Sequence, residues 1–358
     1  MVKFIHSGDI HLGLKFKNVS FGGEKGKTRR LELWQSFRRF ISYGIEEEVD
    51  LILLAGDIFE SDFITISDIK RFSDILAMAK NQEICIIAGN HDSLGSHSIY
   101  GRLDFSQNVH IFNSDGLDEK FFSNLNTKVY GLSWGNLTSA SMSILDEINK
   151  EEDCKKILMV HGDIKGDDKY LPLDINKLNS LKLDYIALGH IHKPELFSNN
   201  MAYCGSLEPL DFGETGPRGF IKGVMEEETK IEFVPFSLRE FIIVNIDVKD
   251  DETYEQIYNR VLDETHKGRD TNFYRVNISG SLPLDIDKTI LKDDLSSKFY
   301  HLELKYNTRS IDLEKIKLEN KDNIVNRFID SFSKEELEDP VFYDALITGI
   351  HALLEGGK

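Results

Sequence analysis

A layered α/β fold is predicted by two patterns that run together along the sequence. Five short apolar runs, at 2–5, 51–55, 84–88, 157–160 and 185–188, have the length and continuity of strands buried on both faces. Between the early runs, apolar residues recur every three to four positions, the spacing of helices that cover a sheet with one face. Nothing repeats at a fixed period, which argues against a solenoid.

In chain order, the first helical stripe is Leu31, Trp34, Phe37, Ile41 and Ile45, and the second is Ile66, Ile69, Phe72, Leu76 and Ala79. A further strand is expected over 129–134. Near Phe236 the pattern changes. Runs at 241–248, 273–278 and 300–306 are separated by helical stretches around 252–264 and 285–298, which predicts a second, small α/β unit. Beyond 313, Ile324, Val325, Phe328, Ile329 and Phe332 form one stripe. Asp339 and Pro340 supply the cap and first position of a last helix carrying Phe342, Leu346, Gly349 and Leu353. The expected parts are 1–238, 239–312 and 313–358, the last a helical pair.

A chain of 358 residues with 41% hydrophobic and 29% charged residues and 7 prolines can bury a sizeable core, as an ordinary globular protein does. No apolar stretch approaches the roughly 18 residues of a membrane span, so no membrane partner is expected. Met1 to His6 run straight into a strand and leave no room for a signal peptide, so a cytoplasmic location is expected. Cys85, Cys154 and Cys204 form no CxxC pair and are read as reduced and structural. The net charge of −18 opposes a nucleic-acid ligand unless positive charge is concentrated locally. One such stretch exists: Lys15, Lys17, Lys25, Lys27, Arg29, Arg30, Arg38 and Arg39 stand against only Glu24 and Glu32.

Each of the five strand-like runs is followed within a few residues by a polar cluster. These are Asp9-Ile10-His11, Gly56-Asp57, Gly89-Asn90-His91-Asp92, His161-Gly162-Asp163 and Gly189-His190-Ile191-His192. Sites in α/β sheets form beyond strand ends, where loops supply side chains and strands position them, so five such ends can converge. The donors are Asp, His and Asn without Cys, a set suited to manganese, iron, zinc or magnesium in a catalytic role. Side chains two apart in an extended segment point the same way, so Asp9 with His11, and His190 with His192, can each grip from one side. Adjacent Asn90 and His91 point apart, leaving one of them free for a substrate. Asp9, His11, Asp57, Asn90, His161, His190 and His192 exceed the needs of one ion, and a central carboxylate such as Asp57 can bridge two. Two ions about 3.5–4 Å apart activate a water and clamp the attacking and leaving oxygens of an in-line displacement at phosphorus.

Taken in order, DxH, GD, GNHD, a lone His after a strand and GHxH resemble the signature of calcineurin-like metallophosphoesterases. The resemblance implies a sandwich of two central sheets flanked by helices. It also implies that Asp9, His11, Asp57 and His192 hold one ion and Asp57, Asn90, His161 and His190 the other. His91 matches the non-ligand histidine that contacts the scissile phosphate and protonates or stabilises the leaving oxygen, with Asp92 to orient it. The opening 4–13, the segment Gly205-Ser206-Leu207-Glu208 continuing to Asp211-Phe212-Gly213-Glu214, and Arg239-Glu240-Phe241 look like SbcD and YhaO repair nucleases over nearly the whole chain. That subfamily implies a DNA exonuclease and endonuclease of double-strand-break repair. In it the small unit caps the site and guides DNA, helices near the first motifs pair two subunits, and the terminal helices dock on the coiled coil of an SMC-like ATPase of the SbcC or YhaN kind. One departure stands out: three residues after Asp57, where several relatives carry a second histidine, this chain has Glu60.

Two other functions use the same residues. A phosphomonoesterase, protein phosphatase or cyclic-nucleotide phosphodiesterase needs the same ligands, but Gly56-Asp57 continues to Ile58-Phe59-Glu60 rather than to the Asp-Arg-Gly of phosphoprotein phosphatases. A non-catalytic DNA-binding subunit has no chemical reason to keep all seven ligands and His91. His6, His97, His110, His266, His301 and His351 lie outside the motifs and are read as structural or surface residues, with His6 open to a supporting place beside the site.

Overall fold

The computed structural model describes residues 1–16, 22–95, 98–102, 104–113, 116–135, 139–148, 153–164, 171–283, 286–308 and 313–355. Lys17 and His97 lie outside the described residues. The chain divides into two compact units, Met1–Glu240 and Phe241–Lys358.

The first unit begins with β1 (Val2–Ser7), α1 (Glu24–Glu46), β2 (Leu51–Ala55), α2 (Ile66–Leu76), β3 (Glu83–Ile87) and β4 (Val109–Ile111). It continues with β5 (Asp118–Phe122), β6 (Thr127–Leu132), β7 (Lys155–His161), α3 (Ile175–Ser180), β8 (Tyr185–Gly189), β9 (Glu195–Ser198), β10 (Met201–Tyr203), β11 (Gly219–Met225) and β12 (Thr229–Pro235). Two six-stranded sheets result, ordered β12-β11-β1-β2-β3-β4 and β5-β6-β7-β8-β10-β9. This is the layered α/β sandwich the motifs imply. The runs β1, β2 and β3 pair in parallel in one sheet, and β6, β7 and β8 in the other.

Parallel strands covered on both faces need apolar residues at every position, which is why the runs are continuous rather than alternating. Along β2, Leu51, Leu53 and Ala55 join the core between the sheets, with Phe4, Cys85 and Ile87 on their side and Val129, Met159, Tyr185 and Ala202 opposite. The Phe4 and Tyr185 rings meet across that layer at 4.3 Å. The other face of the second sheet, through Tyr130, Leu158, Val160, Ile186 and Leu188, packs with Leu178 of α3 and with Leu181 and Leu183.

The two expected helical stripes form α1 and α2, with Phe37 stacked on Phe72 at 5.1 Å. Their first members are exceptions. Leu31 is 61% exposed and Ile66 66%. The buried face of α1 runs through Leu33, Trp34, Phe37, Phe40 and Ile41 instead. Ile66 is the first helical position after a capping box in which Thr65 and Asp68 satisfy each other's backbone N–H groups.

In the second unit, β13 (Phe241–Val248), β14 (Phe273–Gly280) and β15 (His301–Thr308) make a parallel three-stranded sheet. Helices α4 (Tyr254–Glu264) and α5 (Lys288–Ser296) bury Ile257, Val261, Leu291 and Leu295 with Ile246, Val276 and Ile278 of the strands. The terminal segment forms α6 (Leu313–Glu319), α7 (Ile324–Ile329), α8 (Lys334–Glu338) and α9 (Pro340–Glu355). The segment is four helices rather than the expected pair; the two stripes fall on α7 and α9, apart from Phe332, which lies past the end of α7, and Val325, Ile329, Leu346 and Ile350 share a core with Ile316 of α6. Ile324, Val341 and Phe342 stay exposed. Among the described residues, no helix is long and apolar enough to cross a membrane.

Candidate metal centre

Every ligand candidate sits just past the carboxyl end of a parallel strand: β1 leads to Asp9 and His11, β2 to Asp57, β3 to Asn90 and His91, β7 ends on His161, and β8 leads to His190 and His192. The loops after β1 and β2 are paired through their backbones. Asp9 N–H donates to the Gly56 carbonyl at 3.0 Å, and Ile10 and His11 N–H donate to the Asp57 carbonyl at 2.9 and 3.1 Å. The sharp exits require left-handed backbone at Asp9, His11 and Asp57, with φ of 49°, 50° and 50°. Such strain persists only where the surroundings enforce it, and it concentrates at functional sites. Glycine is required at two of the exits. A Cβ on Gly89 would lie 2.2 Å from Asp57 Oδ1, and one on Gly189 would lie 1.9 Å from the Ala55 carbonyl oxygen.

The side chains gather in two groups. Asp9, His11 and His192 present ligand atoms to one another in the first, and Asp57, His161 and His190 do so in the second. Asp57 lies between them, with Oδ2 3.3 Å from His161 Nε2 and 4.0 Å from His11 Nε2. Asn90 Oδ1 reaches His161 Nε2 at 3.1 Å. All seven candidates therefore converge, and the carboxylate expected at the centre is the one between the groups.

Outward partners fix the imidazoles. His161 Nδ1 donates to the Ala55 carbonyl at 2.9 Å, which aims Nε2 at Asp57. His192 Nδ1 meets Glu214 Oε1 at 2.6 Å and His11 Nδ1 meets Glu60 Oε2 at 3.3 Å. Carboxylates and carbonyls behind ligating histidines set tautomer and direction in this way. The inward atoms, Nε2 of His11 and Nε2 of His192, are 3.2 Å apart. Two lone pairs that close repel unless a proton or a cation lies between them.

The electrostatics also call for positive charge. Burial pushes Asp57 up, yet the neighbouring His161 charge and hydrogen bond hold its carboxyl well below the usual range. Burial lowers His161 and His192, but Asp57 raises the first to about 9, and Glu214 with Asp9 raises the second to about 9. Protons so held are what cations displace, because ligating imidazole must be neutral. The hard to borderline oxygen and nitrogen donors, converging in two groups with the Asp57 carboxylate between them, fit a pair of divalent ions.

Residues 2–194, more than half the chain, match the family of calcineurin-like phosphoesterases. The chain belongs to that family. Calcineurin-like phosphoesterases are hydrolases that hold a dinuclear metal centre, and the two ligand groups here are the place for one. Similar proteins include the uncharacterized metallophosphoesterase YhaO of Bacillus subtilis, 30% identical over 61% of this chain and 56% of that protein. The DNA double-strand break repair protein Mre11 of Methanocaldococcus jannaschii is 28% identical over 72% of each. The SbcD component of the nuclease SbcCD of Staphylococcus saprophyticus is 26% identical over 94% of each. The chain thus spans just over half the length of YhaO.

Within this calcineurin-like site, His91 lies at the rim, its side chain 42% exposed, with its ring 4.8 Å from that of His11. Asp92 does not orient it. The fully buried Asp92 carboxylate accepts N–H groups of Gly89, Asp57, Ile58 and Phe59 at 2.7–3.3 Å and the Tyr100 hydroxyl at 2.6 Å. Asp92 therefore braces the loop that carries Asp57, and the partner of His91 Nδ1 is Glu60 Oε1 at 3.1 Å. Glu60 and Glu214 are the supporting residues that the motifs alone missed; the first was visible only as a departure and the second only as part of a resembling segment.

Part of the basic stretch before α2 is committed within the unit. Arg29 is buried against Glu32 and Glu208 at 2.6 and 3.2 Å, Arg30 pairs with Asp68, Lys27 with Glu24, and Arg39 covers the Phe236 ring.

Proposed function

We propose that this chain is a metal-dependent DNA nuclease that hydrolyses phosphodiester bonds as exonuclease and endonuclease, with Mn2+ as its ion, in double-strand-break repair. The observation that carries the reading is the rim position of His91 beside two ligand groups joined by Asp57. Asp9, His11, Asp57 and His192 would hold one ion; Asp57, Asn90, His161 and His190 would hold the other. When bound, the pair supplies an activated water and compensates charge at phosphorus. His91, outside both groups, donates a proton to the leaving oxygen. Asp92 holds the loop that presents Asp57.

Support for DNA as substrate comes from the relatives named for break repair and for the SbcCD nuclease, the latter aligned over 94% of both chains. On this reading 1–238 carries the chemistry, 239–312 caps the site and guides DNA, and 313–358 docks on an SMC-like ATPase of the SbcC or YhaN kind. Two copies pair, and the complex works in the cytoplasm. The exposed apolar residues Ile324, Val341 and Phe342 favour docking by the terminal segment.

The decisive experiment is cleavage of end-labelled linear and hairpin DNA with Mn2+, Mg2+ or chelator, with a phosphomonoester in parallel. Mn2+-dependent cleavage is expected, abolished by chelator and reduced by about 10²–10⁴-fold in His91→Ala with two ions retained. Hydrolysis of the monoester alone would remove the nuclease reading and leave the metal centre.

A further inference from the structure

The Glu60 carboxylate divides its oxygens between two rings. Oε2 lies 3.3 Å from Nδ1 of His11, and Oε1 lies 3.1 Å from Nδ1 of His91. The backbone holds the residue between the loops that carry those rings. Glu60 N–H donates to the Leu12 carbonyl at 3.0 Å, and Ser61 N–H donates to the His91 carbonyl at 3.3 Å. With each Nδ1 turned toward Glu60, His11 Nε2 faces Asp57 and His192, and the half-exposed His91 is left with its Nε2. The rings stand 82° apart, so neither stacks on the other and the carboxylate is their shared polar partner.

We propose that Glu60 is a positioning residue that ties the imidazole of His91 to the metal ligand His11, so that the direction of the proton donor depends on an intact ligand group. The inference rests on the reading of His91 given above. In the step it serves, the oxygen of water forms a new bond to phosphorus and its proton passes to solvent. The bond to the leaving oxygen breaks with its electron pair staying on that oxygen, and the proton on His91 Nε2 is transferred to it. Side-chain length matters: an aspartate on the same backbone falls short by one carbon–carbon bond, about 1.5 Å, and reaches one ring at a time.

The test compares Mn2+-loaded wild type with Glu60→Gln, Glu60→Asp and Glu60→Ala on two phosphodiesters. One is bis(4-nitrophenyl) phosphate, whose leaving group departs without a proton; the other is a thymidine dinucleotide, whose leaving alkoxide requires one. Metal content and Mn2+ affinity are measured on the same samples. Glu60→Ala is expected to lose at least tenfold more activity on the dinucleotide than on the nitrophenyl ester, with Glu60→Asp intermediate. The affinity for one of two ions is expected to fall by roughly tenfold, as when a partner behind a ligating histidine is removed. Glu60→Gln, of the same shape, serves if the alanine variant misfolds. Equal losses on both esters, or no loss on either, overturn the proposal. So does a third ion in the wild type that Glu60→Ala removes, because His11, Glu60 and His91 would then be a metal site. If the wild type cleaves the nitrophenyl ester but neither the dinucleotide nor DNA, the nuclease reading fails. Glu60 is then judged on aryl diesters of graded leaving group, where a loss that does not steepen with poorer leaving groups overturns it.

Discussion

His6 is fully buried in the first unit, its Nδ1 2.8 Å from the Tyr185 hydroxyl. Burial lowers its pKa to about 3. An unfolded chain binds that proton near pH 6.5, whereas the folded chain refuses it until about pH 3, so the stability this group confers is complete above pH 6.5 and is lost as pH falls. The slope is ~1.4 kcal/mol per pH unit in that window. Urea denaturation at pH 6.5 and pH 5 should therefore show the wild type losing about 1.6 kcal/mol more than His6→Asn; equal losses would place the acid sensitivity elsewhere. At this scale the sequence disclosed a great deal of the site and little of its support. Asp9, His11, Asp57, Asn90, His161, His190 and His192 follow strands directly, and that regularity exposes them. Glu60 and Glu214 act through Nδ1 atoms of rings far from them in sequence, and Asp92, adjacent to His91 in the chain, turns its oxygens to the backbone instead. Spacing along a chain says which way a side chain leaves a strand; it does not say which distant ring receives it.

Among elements, the strand exits are held by close backbone approach more than by side-chain packing. Gly89 is the tightest case, since a Cβ would fall 2.2 Å from Asp57 Oδ1 and 2.5 Å from its amide nitrogen. Gly89→Ala should displace the shared carboxylate and cost about 1–3 kcal/mol of stability. Plasma mass spectrometry of the purified variant is expected to find fewer than two ions per chain; full occupancy with wild-type melting would show that the loop yields without consequence. The strands legible in advance, β1–β3, β6–β8 and β13–β15, all lie in parallel pairs, and the first six are covered on both faces. Those missed have identifiable reasons. β4, β9 and β10 are three or four residues long, β5 opens on Asp118, Glu119 and Lys120, β11 carries Gly219 and Gly223, and β12 alternates exposed and covered positions and pairs only with β11 in its sheet. None of these has enough consecutive apolar residues to stand out. Leu31 and Ile66 show the reverse error, apolar residues counted into buried stripes that the helices turn outward.

For the whole molecule, separate cores imply separate thermal behaviour. The ligands all belong to Met1–Glu240, while Phe241–Lys358 has its own packed groups around Val276 and around Leu346. Differential scanning calorimetry with Mn2+ should raise the transition of the first unit, by about 2.7 kcal/mol of stabilisation at a hundredfold excess over Kd, and leave that of the second in place. A single transition that moves as one body would contradict independent melting. Composition gave the least guidance here, because the net charge of −18 says nothing of where cations sit, and Arg29 shows that a member of a basic segment can be spent inside the fold.

The ligand groups draw on both sheets, and His11 and His192 are separated by 181 residues of chain. During synthesis at about 5–20 residues per second, roughly 10–35 s pass between the emergence of the first ring and that of the second. Between the emergence of Asn90 and that of His161, Asp9, His11, Asp57 and Asn90 exist without His161, His190 and His192, so the growing polypeptide has half a cradle and no hydrolytic centre. A message broken before the codons of β8, or a fragment clipped ahead of it, yields an inert product. The division of labour between two sheets thus delays assembly of the centre until synthesis is well advanced: a nascent chain still short of β8 lacks His190 and His192, and with them a member of each ligand group.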